Sequence, residues 1–125
     1  MLPSQHRLRR SQDFDDVVRG GARSGARRLV VHLSTTPPDD GSAPPRAGLV
    51  VSKAVGGAVE RTLVKRRLRG LLAERLGGLE QGDRVVVRAL PAAHRATSAE
   101  LGSDLDAALA GARRRANRPG RRSQR

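Results

Sequence analysis

The densest run of chemistry-bearing side chains lies between Ser52 and Arg69: SKAVGGAVERTLVKRRLR. It reads as a strand end, a glycine turn and a helix. On that helix Arg61, Lys65 and Arg69 recur at i, i+4 and i+8, and Arg66 widens the same face. Cations so spaced can grip phosphates along a folded RNA, and Arg adds planar, bidentate contacts. A solvated charged helix face is the plain alternative for such a run. Nothing else in the chain assembles catalytic chemistry. His6, His32 and His94 fall in separate elements without a metal-type partner. Asp13, Asp15 and Asp16 suit the positive end of a helix, and Asp104 and Asp106 are two apart, so they diverge. Lys53 precedes Gly56-Gly57 rather than following it, so this is not a phosphate-binding P-loop.

The composition agrees with a polyanion partner. The chain has 125 residues, the length of one domain, and a formal net charge of +13. The charge is clustered. Residues 1–28 carry +4, 53–75 carry +5 and 113–125 carry +7, with weakly acidic stretches between them. A surplus of this size predicts phosphate-rich partners and salt-dependent binding. The absence of Cys excludes a disulfide scaffold, a disulfide-linked partner, a Cys-ligated metal site and a thiol nucleophile. No apolar run approaches a membrane span, and the Arg-bearing start lacks an apolar signal core. The expected setting is the cytoplasm, with no membrane partner.

Helices and strands must position the basic face. A first helix is expected from Ser11, as a cap, to Gly20-Gly21, with Phe14, Val17 and Val18 on one face. Strands are expected around Arg28–Ser34 and Ala47–Ser52, joined by a Pro- and Gly-rich surface loop over 34–46. The main helix spans about 57–76, with Val64, Leu68, Leu71 and Leu72 as its apolar stripe and Leu63 off it, exposed. Val85-Val86-Val87 marks a central strand over Asp83–Ala89. Thr97-Ser98-Ala99-Glu100 is a capping box for a last helix bearing Leu101, Leu105, Ala108, Leu109 and Ala112. The expected fold is α+β: one domain over 1–112, a small mixed sheet of three to four strands with helices packed mainly on one face, and a disordered Arg-rich tail over 113–125.

The segment from Ser52 resembles the signature of the protein subunit of bacterial ribonuclease P, a stretch like SKKxGNAVxRNRxKRxxRE. Ser52, Lys53, Gly56, Ala58, Val59, Arg61, Lys65, Arg66 and Arg69 match it in order and spacing. Arg7-Leu8-Arg9 with Asp13-Phe14 is similar to the family's opening pattern, and Val85-Val86-Val87 to its later strand. The resemblance covers roughly residues 5–110. Three positions depart from it: Thr62 stands for Asn, Leu63 for the second Arg, and Gly57 for Asn.

The resemblance implies a left-handed βαβ crossover. It implies a non-catalytic subunit of an endoribonuclease whose RNA cleaves precursor tRNA to give the mature 5′ end and holds most of the Mg2+. It places Lys53, Arg61, Thr62, Lys65, Arg66 and Arg69 on the catalytic RNA. It places Phe14, Val18 and His32 on the 5′ leader of precursor tRNA, in a cleft between the first helix and the open sheet face; the His32 imidazole can still stack on a base. No catalytic or metal-binding residue is expected in the protein. A structural or ribosomal RNA-binding protein shares the charge and the small fold, and is the alternative. A DNA-compacting protein would need a dimer or a repetitive basic tail, and no dimerising arm is legible in this sequence.

Overall fold

A computed structural model describes residues 4–8, 10–35 and 44–117. A short 3-10 turn, Ser4–His6, leads to α1 (Ser11–Gly20), β1 (Ala22–Gly25), β2 (Leu29–Ser34), β3 (Arg46–Val50), α2 (Ala58–Arg75), β4 (Arg84–Ala89) and α3 (Ser98–Ala116). The four strands form one mixed sheet in the order β1-β2-β4-β3. β2 pairs antiparallel with both β1 and β4, while β3 and β4 run parallel, joined through α2 as a βαβ unit. The α+β architecture read from the sequence is the one observed.

Strand alternation divides the molecule into two faces. On one face Leu29, Val31, Leu33, Ala47, Val85, Val87 and Ala89 meet Val64, Leu68 and Leu72 of α2 and Leu101, Leu105, Ala108 and Ala112 of α3. Leu68 and Leu105 are fully buried, so truncating either to Ala would cost about 2–5 kcal/mol. On the opposite face α1 lays Val17 against Val86 and Leu8. Val85, Val86 and Val87 are all fully buried, which is what a central strand covered on both sides requires. The turn from α1 into β1 is tight: a Cβ on Gly21 would stand 2.6 Å from the Val17 carbonyl oxygen and 2.7 Å from that of Leu33.

Several expectations need correction. Ser11 does not cap α1; it is the first helical residue, and Arg10 at the cap position makes no side-chain cap bond. β3 ends at Val50 rather than Ser52, because the Val55 N–H turns back to the Ser52 carbonyl. α2 ends at Arg75, and a 3-10 turn occupies Leu76–Gly78. The break expected after residue 112 falls inside α3, which continues to Ala116. The reason is electrostatic. Asp83, 2% exposed, also accepts from the Glu80 N–H at 2.8 Å and is neutralised by the Arg113 guanidinium, whose own pKa the carboxylate pushes up. The expected capping box is present: Glu100 N–H donates to Thr97 Oγ1 at 3.1 Å, and Thr97 N–H to Glu100 Oε1 at 2.9 Å. Residues 36–43 of the expected loop and 118–125 of the expected tail lie outside the described residues.

Candidate nucleic-acid interface

Burial of Val64, Leu68 and Leu72 fixes how α2 is rotated. That rotation leaves Thr62, Leu63, Arg66 and Arg69 exposed and Arg61 and Lys65 half-buried; Lys53 is exposed in the turn before the helix. The arginines of this helix fall into two sets. Arg67 donates to the Ala96 carbonyl at 2.5 Å, and Arg75 donates to Asp106 at 2.6 Å and to the Leu71 carbonyl at 2.9 Å. These two fasten α2 to its neighbours. Lys53, Arg61, Lys65, Arg66 and Arg69 have no acidic partner among the described residues, and Arg61 Nε is buried without a hydrogen-bond partner. The fold thus leaves these five cations uncompensated among the described residues. Val59 (78% exposed) and Leu63 (37%) form an apolar strip along the outer side, four residues apart.

The expected leader-side residues fare differently. The far end of the half-buried Phe14 ring lies against Gly48 of β3, where a Cβ would collide with its Cζ. Val18 is 40% exposed, one residue beyond the buried Val17. His32 is only 3% exposed, so its ring is not presented to a base for stacking. Both ring nitrogens are buried and unpartnered, and desolvation, helped by the charges of Arg88 and Arg23, holds its pKa below the ordinary value. His32 is thus held toward its neutral form, buried within β2.

The sheet face under α1 carries cations that the sequence reading passed over. Arg23 stands opposite His32, Arg88 opposite Val30, and Arg84 opposite both Ser34 and Arg46, all on the face away from α2. Arg23, Arg46 and Arg88 are exposed, and Arg84 reaches Ser34 Oγ at 3.5 Å. The signal was available: Arg84-Val85-Val86-Val87-Arg88 alternates with period 2, so both end residues share a face.

The two sets of residues meet at the β3 edge. A cavity of about 380 Å³ is lined by Arg7, Phe14, Gly48, Leu49, Lys65 and Arg69, among others. The structure thus brings Phe14 together with Lys65 and Arg69, and leaves His32 apart. Among the described residues no three His, Cys, Asp or Glu gather as a metal site. No described helix is long and apolar enough to cross a membrane.

The sequence profile of the Ribonuclease P family matches residues 2–113. A ribonuclease P protein component from Streptomyces griseus is 59% identical over 114 residues, covering 87% of this chain and 93% of that one. The corresponding protein of Mycobacterium avium is 50% identical over 110 residues, covering 87% and 92%. Among solved structures, a Staphylococcus aureus RNase P protein mutant with defective mRNA degradation activity superposes with a TM-score of 0.76 at 25% identity, covering 86% of this chain and 88% of that one. The RNase P protein of Thermotoga maritima has a TM-score of 0.69 at 24% identity, covering 86% and 96%.

Proposed function

The chain belongs to the ribonuclease P protein family as a component of the bacterial type, and from that membership we propose how it works within the holoenzyme. Its basic α2 face, with Lys53, Arg61, Thr62, Lys65, Arg66 and Arg69, binds the catalytic RNA. Phe14 and Val18 of α1, with Arg23, Arg46, Arg84 and Arg88 of the sheet face, bind the 5′ leader of precursor tRNA. The RNA carries out the endonucleolytic cleavage that gives the mature tRNA 5′ end, and it holds most of the Mg2+. The setting is the cytoplasm.

The observation that carries this reading is the division of α2: Arg67 and Arg75 are held by neighbouring elements, and the other cations have no acidic partner among the described residues. Uncompensated cations replace the counterions of a polyanion and release them on binding. A protein without catalytic groups can then raise activity by lowering the repulsion between two RNAs. A single-stranded leader suits a shallow basic face beside an aromatic ring.

The test is reconstitution. The purified chain is mixed with a bacterial ribonuclease P RNA, and leader cleavage from a precursor tRNA is followed at low Mg2+. Cleavage that depends on both components is the expected result. Tight RNA binding with no stimulation would instead favour a structural RNA-binding role.

A further inference from the structure

Three glycines stand inside the long helices: Gly70 in α2, and Gly102 and Gly111 in α3. Glycine is the poorest helix former after proline, so each calls for a reason. In α3 packing supplies it. A Cβ on Gly102 would press on Arg75 Nη2 at 3.2 Å and on Leu71 Cδ2 at 3.3 Å, and one on Gly111 would collide with Ser24 Oγ. Gly70 has no such reason. Among the described residues nothing beyond its chain neighbours and its own helix backbone comes within 4 Å of where a Cβ would stand. Its φ is not positive, and it ends no helix, since α2 runs on to Arg75. Its position gives a direction. Gly70 lies two residues from both Leu68 and Leu72, about half a turn round from the buried stripe, so it faces outward. One turn before it stands Arg66, and Arg69 flanks it; both are exposed, without an acidic partner among the described residues. One turn after it the Glu74 side chain is 73% exposed. The side-chain sheath of α2 is thus notched beside two uncompensated cations.

We propose that Gly70 seats one nucleotide of the catalytic RNA: its sugar rests on the bare helix backbone, and the phosphates on either side of it are held by Arg66 and Arg69. The inference rests on the α2 reading above and adds to it a positioning residue without charge. A side chain at this place would hold the strand off by the thickness of its own atoms and lengthen both charge-assisted contacts. A gap of about 1 Å would also forfeit up to about half of the dispersion between sugar and helix. Glu74 sets where the strand leaves the helix, because its carboxylate repels the next phosphate.

The experiment uses the full chain with a bacterial ribonuclease P RNA. The variants are Gly70→Ala, Gly70→Leu and Gly70→Arg, with Ala107→Leu on the exposed side of α3 as control. Filter binding reads affinity, thermal melting reads stability, and hydroxyl-radical footprinting reads the sugars that the protein covers. The Gly70 variants should all melt higher than wild type, by about 4 °C for Ala, because each is a better helix former. They should nonetheless all bind the RNA more weakly, about threefold for Ala and about tenfold or more for Leu. Gly70→Arg is the sharpest case. It adds a cation beside the RNA, yet its added atoms fill the seat, so binding should weaken. The Gly70→Leu footprint should lose protection over one short run of sugars and keep the rest. Ala107→Leu should leave both affinity and footprint unchanged.

Gly70→Leu or Gly70→Arg binding as tightly as wild type, or more tightly, would overturn the seat and leave the α2 interface standing. So would a Gly70→Ala protein that melts lower than wild type, since Gly70 would then serve the chain's own fold. A footprint that weakens evenly, with no run of sugars lost alone, would overturn it too. Wild-type affinity for the RNA that does not change with salt would sink the α2 reading itself.

Discussion

At the scale of single residues, charge without a partner and a ring held neutral set the behaviour. Arg66 is exposed, with no acidic partner among the described residues. Arg66→Ala should therefore weaken binding to the catalytic RNA and reduce the slope of log affinity against log salt by about one. Filter binding across a salt series reads both, and an unchanged slope would remove Arg66 from the interface. Leu63 is exposed beside Arg66, so Leu63→Arg should tighten RNA binding without loss of thermal stability. Weaker binding would mean that the Val59–Leu63 strip itself contacts RNA. His32 gives a pH signature. Its folded pKa lies below the ordinary value of 6.5, so above that pH both folded and unfolded states are neutral and nothing is lost. As pH falls below 6.5 the unfolded chain takes up a proton that the buried ring resists, and stability declines. Melting curves between about pH 7.5 and about pH 5.5 should show this fall, and His32→Phe should flatten it.

At the scale of elements, α3 is held at one end by an ion pair to the buried Asp83 and at the other by an exposed capping box. Breaking the pair between Arg113 and the buried Asp83 by Arg113→Ala should cost about 3 kcal/mol, read by urea denaturation. Thr97→Ala at the other end should cost about 1 kcal/mol. These two ends also show what was legible in sequence. The capping box is local, three residues apart, and could be read directly. The Arg113–Asp83 pair joins groups 30 positions apart, so the Arg run from 113 looked like the start of a tail. β1 escaped notice for a similar reason: four residues, ARSG, carry no apolar alternation and become a strand only by pairing with β2. The basic face of α2 was readable because helical period alone sets it, once Val64, Leu68 and Leu72 choose the buried side. The burial of His32 was not, since it depends on α1 crossing a sheet assembled from distant segments.

At the scale of the whole molecule, the surplus of +13 acts over distance as well as in contacts. Residues 118–125 contribute four of the arginines. Truncation after Asn117 should therefore leave the melting temperature unchanged and weaken binding to structured RNA and duplex DNA by similar factors. Truncation after Ala112 should lower the melting temperature as well, because it removes Arg113. A selective loss for one RNA in the shorter truncation would show that the terminal residues recognise a particular partner.

The position of β4 has a consequence for biosynthesis. It is the last strand to leave the ribosome, yet it sits between β2 and β3. Until it arrives, β3 has no neighbour in the sheet, and the core that α2 packs into lacks Val85, Val87 and Ala89. The nascent chain thus carries its cations early but their arrangement late. On the proposed function, specific grip on RNA is then deferred until translation of the domain is nearly complete, and RNA that binds selects chains already folded, adding its binding free energy to their stability.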